Sequence, residues 1–135
     1  MRSRWPYFAA LWFLAVTGII MLADTGGAAW LFRWIEMTPG SDKAGHFVLI
    51  GGMALLLNVA LRARRMPALG RRWLVGSVMV VALFTAEEYS QKFNRRRHFD
   101  YGDLAADYAG IWCAGWLALR MLRGTATNCP APEPM

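Results

Sequence analysis

Between residues 87 and 107 the sequence reads EEYSQKFNRRRHFDYGDLAAD, nine formal charges in twenty-one residues set between VMVVALFTA and YAGIWCAGWLAL. These are the residue types of acid–base and ion-pair chemistry. Glu88 and Gln91 stand three apart, and Asp100, Asp103 and Asp107 are spaced three and four, which is one stripe of a helix. A second set, SDKAGHF at 41–47, supplies Asp42, Lys43 and His46, with His46 within a helical turn of both other groups. Three carboxylates on one stripe repel and need cations. The candidates are Lys43, a protonated His46 and Arg95, Arg96 and Arg97, of which Arg97 suits a bidentate pair with Asp103.

Such a group supports three kinds of chemistry. Arg97, Lys43 and His46 can hold an anionic group, the guanidinium fork matching phosphate or carboxylate. His46 can act as a general acid or base, with Glu88 and Asp103 orienting it or binding a metal ion. Or the network only ties helices together. There is no HExxH, no Cys–His pair and no nucleophile signature, so no metal ion or cofactor is assigned. Plain structural roles stand beside these. Asp100 can cap a helix with Asp103 as its capping-box partner, Lys43 can snorkel, and the three arginines can form a solvated turn. His46 and Asp107 lie deeper in apolar runs, where ionisable groups need partners. Asn58 is expected to make a helix–helix hydrogen bond.

The elements that position these groups follow from hydropathy. Residues 5–23 run without a charge, and 44–61 are interrupted only by His46 and Asn58. Both approach the ~20 residues a helix needs to cross a bilayer. Residues 73–86 and 104–119, the latter with Asp107 inside it, are shorter and reach spanning length only by taking in part of the charged stretch, which brings Glu87, Glu88, Gln91, Asp103 and Asp107 to the membrane's edge or slightly within it. The fold class is therefore all-α: an integral membrane four-helix bundle over residues 1–123, with AWLFRWIEM as a short interfacial helix between the first two spans. Ser41 is the expected N-cap of the second helix, and Gly110 and Ala114 with Ala106 form a small-residue stripe for close packing of the fourth. The tail 124–135 is expected to be disordered. The first span is read as a helix rather than a cleaved signal, being long for that purpose and lacking an A-x-A site.

The chain has 135 residues, 56% of them apolar, seven Trp and a net charge of +6. One domain is all that this length supports. Its basic residues fall in short knots between apolar runs, which argues against nucleic acid and for a membrane orientation signal. Nine Lys and Arg fall on the side of the termini and of RARRMPALGRR, against six on the other, so both termini are expected in the cytoplasm. The four-span topology then brings SDKAGHF, EEYSQ and RRRHFDYGDLAAD to one outer face. Cys113 and Cys129 have dissimilar surroundings and are read as free thiols without a role.

The combination of D-K-x-x-H-F, E-x-x-Q, an Arg and D-x-x-x-[ND]-x-x-G resembles the VanZ-like family of bacterial membrane proteins. It is carried here by Asp42, Lys43, His46 and Phe47, by Glu88 and Gln91, by Arg97, and by Asp103, Asp107 and Gly110, and it covers residues 42–115. Asp107 stands where the family often has Asn. The resemblance implies a multi-pass protein of the bacterial inner membrane with an envelope role, the namesake being linked to low-level teicoplanin resistance. The expected partners are the lipid bilayer and an anionic lipid, cell-wall precursor or glycopeptide. Catalysis on a lipid-linked or phosphate-bearing envelope substrate, and a structural or accessory role, are the alternatives.

Overall fold

The computed structural model describes residues 4–27, 30, 33, 37–68, 71–93 and 100–126. Within them are four α-helices: α1 (Trp5–Thr25), α2 (Ser41–Ala60), α3 (Val75–Ser90), extended by a 3₁₀ turn over Gln91–Phe93, and α4 (Tyr101–Ala126). α1 and α2 are each long and apolar enough to cross a membrane. The interfacial helix expected over AWLFRWIEM lies outside the described residues apart from Trp30, Arg33 and Met37, and the tail lies outside them from residue 127.

Local signals account for the helix ends. Pro6 opens α1, where a missing N–H costs nothing, and Gly26 closes it in the left-handed conformation at φ 72°. Ser41, the expected N-cap of α2, is its first helical residue and donates through Oγ to the Thr38 carbonyl at 2.8 Å. Gly40 holds the cap position instead at φ 79°, a backbone angle serine adopts poorly.

The third helix starts later than its apolar run. Trp73 and Leu74 belong to a hairpin in which β1 (Arg65–Ala68) pairs antiparallel with β2 (Arg71–Leu74). Nothing in this stretch alternates between apolar and polar, and Pro67 is a poor strand former, so a hairpin has no sequence signature here. It is anchored where the Val75 N–H donates to the Arg64 carbonyl at 2.9 Å. The ends of α3 and α4 do incorporate Glu87, Glu88, Asp103 and Asp107 into helix, as their lengths required.

α2 is the hub, packing most extensively on α4 and also on α1 and α3. The core is Val16, Ile50, Met53, Ala54, Val80, Phe84, Ile111 and Ala114. Large apolar side chains are nevertheless exposed on all four helices, among them Leu11 and Leu14, Val48, Met79 and Leu83, and Trp112 and Trp116. Trp12 lies over Gly52 and donates from Nε1 to the Leu49 carbonyl at 2.9 Å, which docks α1. Asn58 is fully buried. It donates from Nδ2 to Ser77 Oγ at 2.9 Å and accepts the Ser77 N–H at 3.2 Å, the helix–helix bond expected of it.

The α2–α4 crossing is close enough to need glycine on both sides. A Cβ on Gly51 would stand 3.1 Å from the Gly110 backbone, and one on Gly110 would stand 2.5 Å from the Phe47 carbonyl oxygen. Gly110→Ala is therefore expected to part the two helices and destabilise the protein by about 1–3 kcal/mol. Thermal unfolding in detergent measures this, with Gly18→Ala, whose Cβ meets nothing within 4 Å, as the neutral control.

Candidate functional site

The close crossing sets the geometry of the charged residues. Asp103 and Asp107 of α4, with Asp100 just before it, face Lys43 and His46 of α2, and the two sets interdigitate. Lys43 Nζ donates to Asp100 Oδ2 at 2.8 Å and to Asp103 Oδ1 at 3.1 Å. His46 comes next, with Nδ1 3.0 Å from Asp107 Oδ1 and Nε2 4.0 Å from Asp103 Oδ2. An ionised carboxylate only accepts, so the Nδ1 hydrogen is the donor to Asp107. The order Asp100, Lys43, Asp103, His46, Asp107 alternates acid and base from solvent inwards. Lys43 and Asp100 are about half exposed, at 48% and 50% of their side chains, whereas Asp103 retains 10% and Asp107 3%.

A second arm comes from α3. Glu88 is wholly buried and accepts the Gln91 amide on Oε2 at 2.9 Å and the Asp100 backbone N–H on Oε1 at 3.2 Å. Gln91 also donates to Glu87, at 3.2 and 3.3 Å. Asp100 does cap α4, its Oδ1 accepting the Gly102 N–H at 2.7 Å. Asp103 does not complete a capping box. It turns to Lys43, and Glu88 reaches across from α3 to the Asp100 N–H, the place a capping-box acid would take. Among the described residues no buried side-chain nitrogen or oxygen lacks a hydrogen-bond partner.

Of the residues singled out by sequence, Lys43, His46, Glu88, Gln91, Asp103 and Asp107 come together in this arrangement. Asp42 does not. It is exposed in the first turn of α2 and makes no hydrogen bond among the described residues, His46 having turned to the acids of α4. Arg97, with Arg95 and Arg96, lies outside the described residues, and the partner described for Asp103 is Lys43. No three His, Cys, Asp or Glu side chains among the described residues form a group able to hold a metal ion.

Gly102 belongs to the site although its type carries no chemistry. A Cβ there would lie 2.6 Å from Lys43 Cε and 3.1 Å from Asp100 Oδ1, so glycine is what lets the lysine stem lie across the start of α4. Gly51 is the other residue not anticipated. Gly102 could have been sought as a glycine between Asp100 and Asp103, whereas Gly51 lies in an uncharged run and only the crossing identifies its partner.

No family model, curated protein or solved structure matches the chain.

Two outcomes follow from this geometry. His46→Ala leaves Asp107 buried without its base and should cost about 3 kcal/mol, the lower end for orphaning a buried charge because the imidazole is not fully enclosed. The double variant His46→Ala/Asp107→Leu should regain most of that loss, which a double-mutant cycle on detergent melts would read. For Asp100, the hydrogen bond from Lys43 and then that from the Gly102 N–H hold the carboxyl below its usual range. A lowered folded-state value stabilises the fold above the ordinary carboxylate value, and that contribution is lost as pH falls through the lowered one. Asp100→Asn should accordingly flatten the acid limb of the melting temperature plotted against pH.

Proposed function

We propose that this chain is a VanZ-like multi-pass protein of the bacterial inner membrane whose outward-facing polar cluster binds the headgroup of an anionic envelope component or a lipoglycopeptide. The observation that carries the reading is the outermost rung. Lys43 gives two of its three N–H donors to Asp100 and Asp103, is half exposed, and sits where the N-termini of α2 and α4 converge. Its third donor is uncommitted among the described residues. Arg95, Arg96 and Arg97 precede α4 in sequence and add the charge that an anion needs.

The rung also constrains the ligand. Lys43 with two carboxylates is net negative, so a bare anion would be repelled by Asp100 and Asp103. A headgroup that presents an oxyanion to Lys43 and hydroxyl or ammonium donors to Asp100 meets both signs. Lipid-linked cell-wall precursors and lipoglycopeptides combine such groups, and a teicoplanin-type resistance role fits the same chemistry.

Four crossings with both termini in the cytoplasm are part of this reading, and the helix lengths and surfaces support it. α1 and α2 have the length and composition, and α3 and α4 carry exposed Met79, Leu83, Trp112 and Trp116 that water would not favour. α3 with its 3₁₀ turn covers residues 75–93, roughly 28 Å at helical rise, close to the ~30 Å hydrocarbon layer.

One observation favours a second reading, a purely structural or accessory role: the deep rungs are fully partnered, and His46 has a carboxylate opposite each ring nitrogen. The same feature weakens a catalytic role, because neither nitrogen faces open solvent alone. Binding of lipid-linked precursor and of teicoplanin to the full chain in vesicles separates these. Lys43→Ala and Arg97→Lys should each weaken binding roughly tenfold, the worth of one charge-assisted hydrogen bond; Arg97→Lys should do so with little change in the melting temperature, whereas Lys43→Ala, which also takes the cation from Asp103, should lower it as well. Unaltered binding with a lowered melting temperature would leave only the structural role.

A further inference from the structure

At the end of the bundle opposite the ladder, α1 packs on α2 but leaves a gap toward α3. The gap is an apolar groove of about 860 Å³, lined by residues that include Pro6 and Phe13 of α1, Leu57 and Leu61 at the end of α2, and Met79 and Leu83 of α3. It runs along α2 from Leu61 back to Met53, roughly 12 Å at helical rise, most of the ~15 Å depth of one leaflet. Its mouth is basic. Leu61 is followed directly by Arg62, whose positive φ of 52° marks the sharp turn out of the helix, and then by Arg64 and Arg65. Arg71 and Arg72 return on the second strand, and Arg4 precedes Pro6. These side chains are exposed, and every ion pair among the described residues lies at the other end of the bundle. So does every described acidic residue, at positions 24, 42, 87, 88, 100, 103 and 107.

We infer that this groove and its arginine rim are a binding site for one anionic phospholipid of the leaflet at the basic end, an acyl chain lying between α1 and α3 and the phosphate against the arginines. A preference for positive loops on the cytoplasmic side accounts for arginines at this end but not for an open apolar slot of leaflet depth beside them. The two together match the two halves of a phospholipid, and the unpaired positive charge selects an acidic headgroup. This site stands apart from the ligand proposed for the ladder and rests only on the bundle crossing the membrane as proposed above.

The test uses the full chain, purified in detergent and stripped of lipid, titrated with phosphatidylglycerol and with phosphatidylcholine of the same chains while lipid-bound species are counted by native mass spectrometry. Phosphatidylglycerol should bind more tightly, and Arg62→Gln and Arg64→Gln should each reduce that preference roughly fivefold. Ala10→Phe, which fills the groove from α1, should abolish binding of both lipids, and Ala82→Phe fills it from α3 should the first variant fail to fold. Equal binding of the two lipids, or unchanged binding after the groove is filled, overturns the proposal. Glycerol phosphate competing as well as the intact lipid does so too, since no acyl chain would then be needed. A dimer that dissociates on filling the groove would assign the slot to a second copy and likewise defeat it.

Discussion

The approach of α2 to α4 at Gly51 and Gly110 is the constraint on which the rest of the structure depends. Ionic side chains a few ångströms off their partners inside an apolar bundle would be an expense rather than a bond, since each charge would lose water without gaining a counterion. Crossing at glycine brings the two backbones close enough for Lys43 and His46 to reach between the acids of the opposite helix. The spacings then complete the fit. Two bases three residues apart on one helix lie between acids spaced three and four on the other, so that each base meets two carboxylates. Glycine at 102 serves the same end at the outermost rung, where the lysine stem crosses the first turn of α4.

Glu88 extends this arrangement to α3 in a way that is easily overlooked. Its carboxylate is wholly buried, yet its described donors are an amide side chain and a backbone N–H rather than a cation. A carboxylate that accepts from the N-cap residue of another helix contributes to capping that helix and fixes its starting point at once. α3 and α4 are thereby held at the end where the ladder stands, and Asn58 with Ser77 holds α2 and α3 at the other.

Much of this was legible in the sequence because it rests on short periodicities. The stripe of Asp100, Asp103 and Asp107, the placing of Lys43 and His46 in the first turns of a helix, and the need for short apolar runs to absorb charged residues all follow from 3.6 residues per turn and a required length. The partner of Asp103 was not legible in that way. Lys43 was one candidate cation among several, stands sixty residues away and reaches Asp103 only because two glycines stand opposite each other, while Arg97, expected as a bidentate partner, lies outside the described residues. Likewise the serine before α2 has the right type for a cap, but the backbone angle at that point belongs to Gly40. The hairpin was invisible for a different reason: its strands are four residues each, carry arginine and proline, and are defined by the chain reversal rather than by a buried face.

The two ends of the bundle differ in more than sign. At one end positive and negative groups are consumed by each other, and only the outermost rung keeps exposed surface and a spare donor. At the other, arginines stand exposed beside an apolar slot with no described acid near them in sequence. A helix dipole alone would not produce this division, because antiparallel helices present both polarities at each end. What does produce it is the distribution of residues along each helix: α2 begins with Asp42, Lys43 and His46 and ends in arginines, while α4 begins with its acids and ends with Arg120 and Arg123. Each helix therefore carries a charge gradient of its own, and an antiparallel pair would set one gradient against the other, whereas α2 and α4 run parallel with their N-termini side by side. The gradients do not cancel, since the acid-bearing ends of both helices meet. That juxtaposition is tolerable only because Lys43 and His46 were placed among the acids, which makes the two bases of α2 the elements that permit the rest of the charge to be segregated.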